Sequence, residues 1–279
     1  MLVNLKQIIG MAEEGGYCIP AFNVYNIETV MGVIKAAEEA KAPVIIQVYP
    51  RLVNEEVGYY LAPVVLAAAK KATVPVCFHL DHGADEKEIQ KLLYWGATGI
   101  MYDGSVHPYE ENVANTKHIV DICNAIDVGV EGELGHIGSV NDDTMEEYTD
   151  PAEAADFVQK TGVCCLAVLI GNAHGHYKKT PKLDIERVKA IREATGGLPL
   201  VLHGGSGIPD DQVKAAIAAG VRKMNIGTDV CCEFEEGTLE TLNEPNRILA
   251  IDMFMKKHID TVKSLALDKI KLVGADGKA

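Results

Sequence analysis

Short, nearly continuous apolar runs alternate with longer amphipathic segments along almost the whole chain. The runs occupy residues 19–24, 43–49, 75–80, 99–102, 128–134, 164–170, 199–202 and 221–226, eight in all. Apolar runs of this length, without polar alternation, are what strands look like when helices cover both faces of a parallel sheet. The intervening stretches read as those helices. After the third run, Asp85 and Glu86 open a segment with Ile89, Leu92 and Leu93 on one face and Gly96 at its end. Acidic side chains favour the positive end of the helix dipole, and glycine suits the C-terminal cap. Residues 210–220 repeat the pattern, with Pro209 near the start and Val213, Ala216 and Ile217 on one face. Residues 1–16 read as an amphipathic helix through Leu2, Leu5, Ile8, Ile9 and Ala12, not as a secretory leader, whose apolar run would be unbroken.

Eight strand–helix beats without a long linker predict a closed (β/α)8 TIM barrel of the α/β class, with residues 1–279 forming one domain. An open doubly wound sheet would carry a Gly-rich phosphate-binding turn after its first strand. Here that strand ends in Asn23-Val24-Tyr25-Asn26, so the barrel is favoured. The formal net charge of −14 argues against nucleic acid or an anionic membrane as partner, since both need a basic surface. No stretch approaches the roughly 18 consecutive apolar residues of a membrane span. A small anionic ligand remains compatible, because a metal ion or a helix N-terminus supplies a local positive field. The seven cysteines make no C-x-x-C spacing and fall mostly in apolar runs, which predicts reduced thiols in a cytoplasmic protein.

In a barrel the chemistry sits where strands end and βα loops begin. Strand three ends in His79-Leu80-Asp81-His82-Gly83, strand four in Asp103-Gly104-Ser105, strand five in Glu131-Gly132-Glu133. Strand six is followed by Asn172-Ala173-His174-Gly175-His176, strand seven by His203-Gly204-Gly205-Ser206-Gly207, and strand eight ends in Asn225-Ile226-Gly227-Thr228-Asp229. A lone strand histidine is ordinarily a hydrogen-bonded core residue. Histidines at three equivalent ends, each beside glycine or an acid, point instead to a catalytic zinc site with three protein ligands and an open position. Gly175 and the run Gly204-Gly205-Ser206 leave backbone N–H groups uncovered, and such a corner suits a phosphate.

Taken in order, these motifs resemble the class II fructose-bisphosphate and ketose-bisphosphate aldolases over nearly the whole chain. The resemblance rests on Pro20-Ala21-Phe22-Asn23-Val24, His79-Leu80-Asp81-His82-Gly83, Asp103-Gly104-Ser105, Glu133-Leu134-Gly135, Ala173-His174-Gly175, Leu202-His203-Gly204-Gly205-Ser206-Gly207-Ile208 and Lys223-Met224-Asn225-Ile226. It implies a lyase that reversibly cleaves a ketose phosphate to dihydroxyacetone phosphate and an aldehyde. It further implies one catalytic zinc per subunit, a monovalent cation as an additional ion, and a homodimer or homotetramer to which residues 248–272 could contribute packing. His82, His174 and His203 match the zinc ligands, with His176 outside the set. Asp81 matches the acid/base at the aldehyde-derived oxygen. Gly175, Gly204, Ser206 and Thr228 match the ketone-side phosphate site, Asn225 the contact to the dihydroxyacetone portion, and Glu133 a glutamate near the metal, at a second ion position. Zinc as a Lewis acid can stabilise an enediolate, and a neighbouring carboxylate can move the alcohol proton. A Schiff-base lysine is the metal-free alternative, and Lys223, within the last run, is the lysine nearest a strand end.

The departures from the family pattern cluster on the aldehyde side. After strand five the family reads Gly-Gly-x-Glu-Asp, whereas this chain has Gly138-Ser139-Val140-Asn141-Asp142-Asp143. An amide at position 141 cannot act as the base at the ketone carbon, which leaves Asp142, Asp143 or Glu146 to replace it. Tyr49-Pro50-Arg51 stands where the family has serine and a small or acidic residue, and Gly227 where it has aspartate or alanine. Glu244-Pro245-Asn246-Arg247 replaces Asp-Pro-Arg-Lys. Arg51 and Arg247 each offer a guanidinium to a distal anion. An aldolase with an altered aldehyde partner follows from this distribution. Two alternatives stand beside it. One is a non-catalytic sugar-phosphate-binding paralogue, motivated by Asn141. The other is a metal-dependent TIM-barrel hydrolase, although amidohydrolases place His-x-His after strand one and here it follows strand six.

Overall fold

The computed structural model describes residues 1–140, 148–245 and 250–279. Asn141, Asp142, Asp143, Glu146 and Arg247 lie outside the described residues. Each apolar run forms a strand: β1 (Ile19–Asn23), β2 (Val44–Val48), β3 (Val76–Gly83), β4 (Gly99–Tyr102), β5 (Gly129–Leu134), β6 (Cys165–Val168), β7 (Leu200–Leu202) and β8 (Val221–Ile226). They pair in parallel and in chain order, and β8 returns to β1 to close the barrel. The covering helices are α1 (Leu5–Gly15), α2 (Ile27–Ala40), α3 (Pro50–Asn54), α4 (Glu56–Lys71), α5 (Glu86–Tyr94), α6 (Tyr109–Asn124), α7 (Pro151–Thr161), α8 (Ile185–Ala194), α9 (Asp210–Ala219), α10 (Thr228–Asn243) and α11 (Ile251–Leu272). No described helix is long and apolar enough to cross a membrane. All seven cysteines are free thiols.

Local chemistry sets the helix ends. Asp85 caps α5 in a capping box with Glu88, and Gly220 ends α9 at φ 126°. The N-terminal helix is shorter than its apolar pattern over residues 1–16. Leu2 lies in a parallel bridge to Val76, and the side chain of Asn4 accepts from Gln7 N to cap α1. Capping uses an extended residue, so the helix starts at Leu5. Leu5 is fully buried and lies across the N-terminal end of the barrel. Its Cβ would stand 2.9 Å from a Cβ on Gly99 and 3.0 Å from one on Gly129. On the outside, α11 packs against α2, with Val262 seated on Gly32 where an added Cβ would come within 2.8 Å.

Candidate active site

The C-terminal ends of the strands surround a cavity of about 440 Å³ lined by Asn23, Tyr25, Tyr49, Asp81, His82, His174, Gly175, Gly204, Ser206, Asn225, Gly227, Thr228 and Cys231. Successive residues of a regular strand point to opposite faces, yet both Asp81 and His82 reach this cavity. The register of β3 against β4 shifts between Leu80 and Gly83, and His82 has a left-handed φ of 51°. A bulge of this kind re-aims a side chain, and a non-glycine residue in that conformation carries strain of about 1–3 kcal/mol that the surrounding contacts must offset.

His82, His174 and His203 converge. His82 Nε2 lies 3.2 Å from His174 Nε2 and 2.9 Å from His203 Nδ1. The outer nitrogen of each ring faces an oxygen: Asp103 Oδ2 at 2.7 Å for His82, Ile137 O at 2.9 Å for His174, and Glu131 Oε1 at 2.8 Å for His203. Those oxygens accept, so the outer nitrogens carry the protons and the inner ones present lone pairs to one another. Three converging lone pairs in reach of one point form a donor set for a cation, and their ligand atoms all lie within 4.8 Å of one another. Burial and the neighbouring His82 and His203 push His174 down to about 4. Burial also opposes charge on His82, but Asp81, Asp103 and Glu133 outweigh it and raise that ring to about 10. Without a metal, the cluster therefore holds one proton where a cation would sit.

Asp81 is fixed from both sides. Its Oδ2 accepts from Asn23 Nδ2 at 2.8 Å and its Oδ1 from Asn225 Nδ2 at 2.8 Å. The first amide is oriented by Gln47 Nε2, which donates to Asn23 Oδ1 at 3.0 Å. The second is oriented by Lys223 Nζ, which donates to Asn225 Oδ1 at 2.7 Å. Lys223 is fully buried and pairs with Glu131 Oε2 at 2.9 Å. Glu131 in turn accepts a hydrogen bond from His203 Nε2, so a continuous row runs from Gln47 to the histidine cluster. Burial alone would raise the Asp81 carboxyl, but His82, His203, Lys223 and the Asn23 hydrogen bond hold it below the usual carboxylate range.

The residues expected to form a phosphate corner at the last three strands come together in the cavity. Gly175, Gly204, Ser206 and Thr228 line one wall beside the start of α10. Gly204 has φ 63°, and a Cβ there would lie 2.0 Å from Ala173 O, so no other residue fits. Tyr177 OH stitches the two loops, accepting from Ala173 N at 2.9 Å and donating to Gly204 O at 3.1 Å. Glu133 is buried with Oε2 3.9 Å from His82 Nδ1; burial and Asp103 raise it to about 8. His176 lies outside the cluster, 3.0 Å from Cys232 Sγ. Arg51 sits beyond the cavity wall on Tyr49.

A family model, fructose-bisphosphate aldolase class II, matches residues 3–278. The chain belongs to the class II fructose-bisphosphate aldolase family. Class II aldolases are zinc-dependent lyases acting on phosphorylated sugars, so the hydrolase alternative falls. Protein YdjI of Escherichia coli K12 is 42% identical over 285 residues, covering 100% of both chains. The crystal structure of that YdjI aldolase superposes with a TM-score of 0.90 at 40% identity, again over 100% of both. The fructose-bisphosphate aldolase of Geobacillus stearothermophilus is 36% identical over 284 residues, covering 100% of this chain and 99% of the relative.

Gln47 escapes the reading of strand ends, and Glu131 and Lys223, though named there, receive no role. All three are polar residues inside apolar runs, a pattern that signals inward-facing polar groups without saying which ones meet. Tyr25 and Cys231 carry no motif and, like Tyr49, reach the cavity through loop and helix placement.

Proposed function

We propose that this aldolase reversibly cleaves a ketose phosphate to dihydroxyacetone phosphate and an aldehyde whose distal group differs from that of fructose 1,6-bisphosphate. One observation carries the proposal: three imidazole lone pairs converge beside a carboxylate whose two oxygens are locked toward the same cavity. His82, His174 and His203 would hold one zinc ion per subunit. When bound, zinc supplies Lewis-acid polarisation of the ketone and hydroxyl oxygens of the substrate. Asp81 keeps lone pairs free beside those taken by Asn23 and Asn225, and it moves the proton of the alcohol formed on the aldehyde side. Gly175, Gly204, Ser206 and Thr228 bind the ketone-side phosphate with backbone N–H groups and hydroxyls at the start of α10. Asn225 orients the dihydroxyacetone portion.

The proton at the ketone carbon is assigned to a carboxylate of the loop after β5, Asp142, Asp143 or Glu146. Support comes from the residue before Asn141: Val140 N donates to His174 O at 2.9 Å, which ties this loop to a metal-ligand residue. Asp103, Glu133 and His82 form a second donor group within 4.8 Å, assigned to a second ion position; a monovalent cation is a further ion of the proposal. The assembly is proposed as a homodimer or homotetramer, which sedimentation equilibrium measures.

The test is to load the protein with zinc and incubate it with dihydroxyacetone phosphate and an aldehyde panel. Glyceraldehyde 3-phosphate, malonate semialdehyde, lactaldehyde and a sulfonated analogue would be included, with products read by mass spectrometry. A zinc-dependent ketose phosphate is expected. No product from any aldehyde despite bound zinc would favour the sugar-phosphate binder. Glyceraldehyde 3-phosphate as clearly the best partner would overturn the altered-aldehyde part alone.

A further inference from the structure

The inner layers of a barrel are ordinarily filled by branched apolar side chains. Directly beneath this site the layer is charged. His79 on β3, Glu131 on β5 and Lys223 on β8 are fully buried. Each stands two residues before Asp81, Glu133 or Asn225 on the same strand, and so on the same inward face. Lys223 divides its donors between two groups, Glu131 Oε2 at 2.9 Å and Asn225 Oδ1 at 2.7 Å. The other neighbours of Glu131 Oε2 are farther off, His79 Nε2 at 3.4 Å and Cys165 Sγ at 4.0 Å. The ammonium therefore sets how that carboxylate lies. Neither Lys223 nor Glu131 lines the cavity.

An ammonium has donors only, so both partners must turn an oxygen toward it, and their remaining atoms are committed by that choice. Asn225 is left with its NH2 group, which donates to Asp81 Oδ1 at 2.8 Å. Glu131 is left with Oε1, which accepts from His203 Nε2 at 2.8 Å and so leaves the lone pair of Nδ1 for a cation. On the zinc-aldolase reading above, we infer that the Lys223–Glu131 pair is a positioning pair that couples the two halves of the site. From outside the cavity it fixes both the ring of the zinc ligand His203 and the polarity of the amide that holds Asp81. Replacing a buried ion pair by apolar side chains is often neutral for stability, so the fold alone gives no reason for two charges in this layer.

The test compares the parent with Lys223→Met and with the charge-balanced Lys223→Met/Glu131→Gln, which leaves no lone buried charge to unfold the barrel. Two measurements, neither needing turnover, read the two halves. On the metal side, zinc affinity is measured by competition with a chelator, well below the unfolding temperature. Both variants should bind zinc about 10- to 100-fold more weakly, the usual effect of losing a ligand's hydrogen-bond partner. Cobalt(II) in place of zinc should show an altered d–d spectrum, because the ring of His203 is no longer held. On the Asp81 side, Asp81→Asn is added to the parent and to the charge-balanced variant, both zinc-loaded, and its cost is read by chemical denaturation. With Lys223 present, Asn225 cannot turn, and two NH2 groups meet. Without Lys223, Asn225 can offer its oxygen, so the same substitution should cost clearly less. Parental zinc affinity and cobalt spectrum in the folded variants, or an equal cost of Asp81→Asn in both backgrounds, would overturn the coupling and leave the aldolase proposal standing. The expected changes in a protein whose parent turns over no ketose phosphate would support the coupling and remove the aldolase chemistry. A parent that binds no zinc would remove both.

Discussion

Both oxygens of Asp81 receive amide N–H groups that cannot turn round, because Asn225 gives its oxygen to Lys223 and Asn23 gives its oxygen to Gln47. An acceptor-only side chain is the one that satisfies both. Asp81→Asn places an NH2 group against an NH2 group, so it should lose stability by about 1–3 kcal/mol as well as activity. Loss of proton transfer should lower kcat by about 10²- to 10⁴-fold, and Asp81→Ala should lower kcat comparably without setting donor against donor. Near-parental turnover in Asp81→Ala would remove Asp81 from the chemistry. The histidines make a second prediction at this scale. In the metal-free chain the carboxylates hold a proton on His82 up to about 10, so zinc uptake at neutral pH must displace it. Zinc affinity should therefore strengthen as pH rises toward that value and weaken as it falls, with about one proton released per ion at pH 7. Calorimetry in buffers of different ionisation enthalpy reads that release, and its absence would take His82 out of the ligand set. These residues are legible in the sequence because three histidines fall at equivalent strand ends. Arg51 is visible only as a departure from a family pattern; that Tyr49 holds it depends on the turn into α3.

Among the elements, β3 shows where sequence reading stops. Its apolar run and its terminal Asp81-His82 are plain, but alternation along a strand would send one of the two away from the cavity. The register shift against β4 and the left-handed backbone of His82 bring both in, and neither follows from residue type. The buried charges of β5 and β8 are similar. Glu131 and Lys223 each interrupt an apolar run, which reads as an inward-facing polar group. Their meeting depends on how the barrel closes, which no local pattern encodes. Removing one partner of a buried pair leaves an uncompensated charge, so Lys223→Met should cost about 3–5 kcal/mol in chemical denaturation. Adding Glu131→Gln should recover part of that loss. A single variant as stable as the parent would show that the pair contributes little.

Across the whole molecule, the barrel separates chemistry from closure. The cavity lies at the C-terminal ends of the strands, whereas α1 closes the opposite end with Leu5 against Gly99 and Gly129. Leu5→Ala should cost about 2–5 kcal/mol by opening a cavity in that floor, while zinc content and kcat at a temperature well below unfolding stay at parental values. A fall in kcat without a fall in stability would show that the two ends are coupled. The eight-beat architecture was readable from apolar periodicity because every run is buried on both faces. The start of α1 was not, since the pairing of Leu2 with Val76 is a long-range contact.

The row of hydrogen bonds from Gln47 through Asn23, Asp81, Asn225, Lys223 and Glu131 to His203 has a fixed polarity at every link, with Asp81 and Glu131 accepting from both sides and Lys223 donating to both. A random replacement within it meets the wrong polarity on at least one side, so acceptable changes must arrive as matched pairs. Tyr49 and Arg51 stand outside that row and are free to vary one at a time. Under selection for a new aldehyde in the laboratory, early winners should gather at this rim, and any change inside the row should appear only alongside a partner.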